Sequence, residues 1–382
     1  MAQPGRILLF GATGYTGALT AHALNRLDVP LTLVGRSAER LTALAEELRG
    51  HRPSAEPPEL VVADARDTTA VRSMLRDRSD VLVSTVGPFM RLGLPALTAA
   101  TDAGARYVDS TGEGPFIRRV FEDFGPRAQQ TGASLLTAFG YDYVPGNLAG
   151  ALALRDAESS GSPATRIEIG YFIQGPMRMS SGTRASIAAV AIEPSHGFRE
   201  GKPCVEPTGA RTAIFSMDGK TLAGLTIGSS EHYTLPRFAP GLRDIDVYLG
   251  WAGSGTLRAS ARARRLHAVL RIPGARPLAR RVVRSRTSLE TGRGPNSEVR
   301  AQSRTIVFAR TFDDSGRRLS HVRLEGPSPY DLTAELLAWA AVTCLFTADL
   351  SSGALGPVDA FGLDETERAC AQLGLRRTTT EG

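Results

Sequence analysis

Seven residues, Gly11-Ala12-Thr13-Gly14-Tyr15-Thr16-Gly17, carry the clearest chemistry in the sequence. They follow an apolar run and open a helical pattern. A pyrophosphate needs close backbone approach, free N–H groups and the positive end of a helix dipole. Glycines between a strand and a helix supply all three. The plainer alternative is a glycine-rich turn without a ligand. The next apolar run ends in Val34-Gly35-Arg36-Ser37. A ribose with a free 2′-hydroxyl is normally met there by Asp or Glu, and neither is present. Arg36 can grip a 2′-phosphate through paired N–H bonds, and Ser37 can donate to it. NADP therefore fits better than NAD, with Arg40 a candidate second contact. Asp64, after the third apolar run, is expected at the adenine edge, or as an ordinary turn aspartate. Val86-Gly87-Pro88 ends a later strand, where the ligand crevice of an open sheet falls, and is expected to shape the site beside the ribose and nicotinamide.

Polar residues gather at two further strand ends. Glu113 closes Asp109-Ser110-Thr111-Gly112-Glu113, and Tyr141, Asp142 and Tyr143 follow Gly140. Reducing a conjugated C=C or a C=N bond by hydride requires one proton as well, and a tyrosine or protonated carboxyl can deliver it. These four are the candidate proton donors, against the plainer reading that each caps a strand end. The Tyr–Lys pair of short-chain reductases is absent. The chain has two lysines, Lys202 and Lys220, and neither lies one helical turn beyond a tyrosine. Its 3 cysteines and 6 histidines show no ligand spacing, so no metal is expected.

These residues need a scaffold, and the first 150 or so supply one. Strand patterns at Arg6–Phe10, Leu31–Val34, Leu60–Ala63, Val81–Val86, Tyr107–Asp109 and Ser134–Ala138 alternate with helical patterns. That alternation predicts a Rossmann-type, doubly wound parallel sheet. From about residue 160, strand patterns at Arg166–Ile173, Ala213–Met217, Asp244–Trp251, Arg304–Ala309 and His321–Leu324 imply an α+β domain on a mostly antiparallel sheet. A helix is expected at Ser181–Ala191. The expected division is 1–155 for NADP, 156–325 for substrate and dimerisation, and 326–382 as a C-terminal helix and tail returning to the first domain.

With 382 residues, 42% of them hydrophobic, the chain can build two ordinary cores. The longest apolar stretch, around Leu336–Ala348, is too short for a membrane span, and no apolar signal region precedes the first strand. A soluble, cytoplasmic protein is expected. The net charge of +6 comes from arginine. No acidic residue lies between Asp246 and Glu290, and an Arg-rich helical insertion is expected at about 255–290. It reads as a solvated face, or as a docking surface for an acidic carrier protein. A lipid-associated role for the arginine face is a further alternative. Nucleic acid is disfavoured because the segment lacks aromatic residues.

Gly11–Gly17, Thr85–Phe89, Gly93-Leu94-Pro95, Tyr107–Glu113 and Gly140–Pro145 together resemble the saccharopine dehydrogenase-like oxidoreductase family. They are also similar to its branch of trans-acting enoyl reductases, which serve polyketide and lipid assembly. Ser180-Ser181-Gly182-Thr183 resembles the family's lead into its second domain, and Leu355–Gly362 its C-terminal turn. The resemblance implies NADPH-dependent reduction of an enoyl or enone C=C bond, on a small-molecule or carrier-bound substrate in a biosynthetic pathway. It implies a homodimer formed through the second sheet. The alternatives are C=N chemistry of the saccharopine type and a redox sensor that holds NADP without turnover.

Overall fold

The computed structural model describes residues 5–378 except 55, 77, 177, 252–254, 271, 273 and 287–293. All four residues of β1 (Ile7–Phe10) are buried, which places it at the centre of a sheet. It pairs in parallel with β2 (Leu31–Gly35) on one side and β4 (Val81–Ser84) on the other. With β3 (Glu59–Val62), β5 (Arg106–Asp109), β6 (Ser134–Leu136) and the late strand β15 (Gly353–Leu355), the order is β15-β6-β5-β4-β1-β2-β3, parallel throughout. The order reverses between β1 and β4, and a crevice opens beyond their carboxyl ends. Two strands stop earlier than their composition suggested. β4 ends at Ser84. β6 ends at Leu136, and Ala138 adopts a left-handed φ of 58° that no strand accommodates.

The second sheet contains β7 (Arg166–Gln174), β10 (Thr212–Met217), β11 (Lys220–Thr226), β12 (Asp244–Leu249), β13 (Arg304–Phe312), β14 (Arg318–Gly326) and β16 (Arg376–Thr378). Their order is β10-β11-β12-β7-β13-β14-β16, and only the β12–β7 pair is parallel. The hairpin of β8 (Ser195–Arg199) and β9 (Lys202–Glu206) joins through Phe198 opposite Ile245. Alternating side chains give the sheet two dry faces. Ile169 and Tyr171 of β7 join the main core beneath helix Val144–Ser159, while Phe172 joins Phe215, Tyr248 and Phe308 on the far side.

Helix Pro329–Phe346 packs on helix Tyr15–Asn25, and β15 extends the first sheet. The tail does not stay there. β16 pairs with β14, so the last described strand lies on the second domain. Among the described residues, no helix is long and apolar enough to cross a membrane.

Candidate functional site

The loop after β1 turns on Gly11, whose φ is +84°. A Cβ there would lie 2.8 Å from Val86 Cγ2. Gly17 allows the helix start to lie on the loop, since its Cβ would meet the Gly11 carbonyl oxygen at 2.1 Å. Gly14 donates its N–H to the same oxygen at 2.9 Å and caps helix Tyr15–Asn25 without a side chain. The amides of the first turn are thus left to a ligand. The loop opens on a cavity of about 400 Å³. Every cofactor residue named from the sequence lines it except Gly17, which supports the loop from behind.

Individual roles are sharper than the sequence allowed. Ser37 Oγ accepts the Arg40 N–H at 3.3 Å and caps helix Ala38–His51, while Arg40 Nη2 reaches the Thr13 carbonyl at 2.6 Å. Arg36 stands exposed at the cavity mouth. Asp64 lines the cavity, but its carboxylate is engaged by Arg66 at 2.6 Å and by the Arg66 backbone N–H at 2.9 Å. Those bonds hold its pKa down to about 2. Tyr15 turns toward the second domain. Its hydroxyl donates to the Pro295 carbonyl and accepts from Arg300, and its ring packs edge-on against Tyr330 at 5.0 Å.

Past Gly87 the crevice continues into a second cavity of about 500 Å³, sharing Thr16, Thr85, Gly87, Ser180 and Gly182 with the first. Two of the four proposed proton donors behave as framework. Tyr141 is buried, accepting from Trp251 Nε1 and donating to the Phe172 carbonyl, both at 3.3 Å. Glu113 is clasped. Phe89 N–H donates at 2.7 Å, Met90 N–H at 2.9 Å and the Ser186 hydroxyl at 2.6 Å. Burial raises its pKa and these donors oppose the rise. Tyr143 borders the second cavity, with its hydroxyl on the Gly112 carbonyl at 3.2 Å.

Asp142 differs from all three. It is partly buried and lines the second cavity and a smaller one beside Trp251 and Tyr330. Among the described residues, its Oδ1 has no hydrogen-bond partner. Burial alone pushes its pKa to about 7. A carboxyl that keeps a proton near neutrality and borders a cavity is suited to proton transfer.

Residues 7–136 match the family described as the saccharopine dehydrogenase NADP binding domain. The match falls on the first domain. Its cofactor is NADP, as the Arg36-Ser37 pair suggested, and the Gly11–Gly17 cradle fits the group. The NADP domain is 40% identical over 144 residues to the trans-acting enoyl reductases of Mycobacterium ulcerans and Mycobacterium leprae. That match covers 37% of this chain and 34% of each relative, so it spans about a third of their length. The whole chain shares its fold with saccharopine dehydrogenase (L-Glu forming) from Saccharomyces cerevisiae. The TM-score is 0.56 at 13% identity, over 98% of this chain and 100% of that one. Homospermidine synthase from Legionella pneumophila gives 0.58 at 10% identity, over 100% and 93%.

Outside the NADP domain, sequence reasoning missed Ser186, Ile187, Leu225, Ile227 and Trp251, which line the substrate-side cavity. No local motif marks them. They meet the NADP domain only because β11, β12 and helix Ser181–Val190 fold over its crevice. Among the described residues, no cluster of His, Cys, Asp and Glu could hold a metal.

Proposed function

We propose that the chain is an NADPH-dependent reductase of an activated C=C bond in an apolar enoyl or enone substrate of a small-molecule biosynthetic pathway. The observation that carries this reading is the makeup of the substrate-side cavity. Its described lining includes no arginine, lysine or histidine, and its two carboxyls are the clasped Glu113 and the unpartnered Asp142. Ile187, Val190, Leu225, Ile227 and Leu249 form apolar walls. An amino-acid substrate brings carboxylates that need cationic partners in a dry site. C=N chemistry of the saccharopine type is therefore the weaker reading, although the fold is shared. The enoyl reductase names of the relatives point the same way.

The Gly11–Gly17 backbone and Arg36 would hold NADPH, which would supply a hydride for the β-carbon of the double bond. Asp142 gives its proton to the α-carbon, which completes the addition of two hydrogens across C=C and leaves a carboxylate that solvent reprotonates. Tyr141 and Trp251 wall Asp142 on the side of the second sheet. Apolar walls exclude water, which keeps the carboxyl protonated and the hydride from side reactions. The test is NADPH consumption over a panel of enones, 2-enoyl thioesters and cyclic imines. Turnover of the first two and not the imines is expected. Turnover of imines alone overturns the reading, and tight NADPH binding with no turnover of any of them makes the chain a sensor.

A further inference from the structure

Fourteen large hydrophobic side chains are exposed among the described residues, and six of them, Leu257, Leu266, Val269, Ile272, Leu278 and Val282, lie on one short stretch of chain. Leu278 is 65% exposed and Ile272 59%. The stretch spans helices Thr256–Val269 and Ala275–Arg286. Arg258, Arg262, Arg264, Arg265 and Arg281 stand exposed among these aliphatic residues. None of the five forms a salt bridge with a described acid, whereas Arg280 pairs with Glu193 at 2.5 Å. No acidic residue occurs in the sequence between Asp246 and Glu290.

A stretch that needs only to be wetted has no use for six exposed aliphatic side chains. An acidic carrier protein would answer the arginines and leave the aliphatic residues in water. A bilayer with anionic headgroups answers both. Leu, Ile and Val enter the boundary of the acyl chains, and arginines snorkel to the phosphates. The same helix serves the cavity from its inner side, where Ala259 and Ala263 line the wall. Ile187 is 45% exposed, lines the cavity too, and sits on the helix that packs against Ala275–Arg286.

We propose that helices Thr256–Val269 and Ala275–Arg286 dock on an anionic membrane surface, and that an apolar substrate passes from the bilayer beneath Ala259 and Ala263 into the cavity. This rests on the apolar-substrate reading above. The test is flotation of the full chain with vesicles of phosphatidylcholine alone and of phosphatidylcholine with phosphatidylglycerol. Partition only onto the anionic vesicles is expected. Arg262→Gln with Arg265→Gln lowers it by roughly 25-fold, about five-fold per arginine. Leu257→Ser and Leu278→Ser lower it by roughly ten-fold each. Both double variants keep the wild-type melting temperature and NADPH affinity.

No partition onto anionic vesicles, or partition that these variants leave unchanged, overturns the proposal. So does tight binding of an acidic acyl carrier protein that depends on the arginines and ignores the leucines, without vesicle binding. A water-soluble enone separates the two layers. If it is reduced while vesicles are ignored, membrane docking alone falls. If vesicles bind and no enone or enoyl thioester is reduced, docking stands and the substrate assignment falls.

Discussion

The two cavities that meet at Gly87 are built on opposite principles. The cofactor side is backbone and cation: a glycine loop, an uncapped helix start, and Arg36, Arg40 and Arg66 around its rim. The proposed substrate side combines aliphatic and aromatic walls with serine and threonine hydroxyls, with no cation among its described lining residues. Their carboxylates differ in the same sense. Asp64 is tied by Arg66 and held near pKa 2, permanently charged. Asp142 has burial as its only influence and reaches about 7. One side holds a carboxylate that stays charged near neutrality, and the other a carboxyl that titrates there.

That contrast breaks most directly at Asp142. Asp142→Asn is expected to lower kcat by about 100- to 10,000-fold, the usual range for losing a general acid, while NADPH affinity stays within about two-fold. The wild-type rate should fall about ten-fold per pH unit above about 7, as the acid loses its proton, and the variant's residual rate should be flat there. A rate that rises through pH 7 would make the residue a base and reverse the assignment.

Changes on the cofactor side should move binding and leave the proton alone. Arg36→Ala is expected to weaken NADPH by about 10- to 100-fold, the worth of a charge-assisted bond pair, with NADH unaffected. Equal losses for both nucleotides, measured by calorimetry, would take the 2′-phosphate away from Arg36. Gly17→Ala places a Cβ 2.1 Å from the Gly11 oxygen, a backbone atom with little room to give. Stability is expected to drop by about 1–3 kcal/mol, and NADPH affinity with it.

The two sides also differed in how far the sequence revealed them. Phosphate binding by a strand, a glycine loop and a helix is local, so Gly11–Gly17, Arg36 and Ser37 were readable in a few turns of chain. The substrate cavity depends on contacts between distant segments. Ser186 reaches Glu113 across 73 positions, and the β8–β9 hairpin and β11 carry mixed patterns that periodicity did not reveal. Asp142 was nameable as a polar strand-end residue alongside Tyr141 and Tyr143. Its distinction, an oxygen without a partner, exists only once the second domain has sealed it from water.

Asp142 should leave a mark on stability too. Its folded pKa lies above the unfolded value, as do those of Asp109 at about 6 and Glu231 at about 7. The folded protein therefore keeps protons that the unfolded chain releases. The share of stability carried by these carboxyls should decline as pH rises from about 4 to about 7, while buried His196 and His232, whose pKa values burial lowers, contribute in the opposite direction. Asp142→Asn removes one of these contributions, so the slope of its melting temperature against pH over that window should be less negative than the wild type's. An unchanged slope would mean that Asp142 is already ionised in the fold.

The mildest expected effect on rate sharpens the comparison within the second cavity itself, which Glu113 and Asp142 both line. Glu113 accepts three hydrogen bonds and ties the helix Phe89–Leu92 to Ser186 of the second domain. Asp142 Oδ1 accepts none. In Glu113→Gln one acceptor oxygen becomes an NH2 that must face a donor, which costs about 1–3 kcal/mol of stability. If Glu113 only clasps the domains, kcat should change by no more than about three-fold, and the pH break near 7 should stay in place. A rate loss matching that of Asp142→Asn, without the stability loss, would move the proton to Glu113. The satisfied carboxyl and not the orphan would then be the acid, and the contrast between them would lose its meaning.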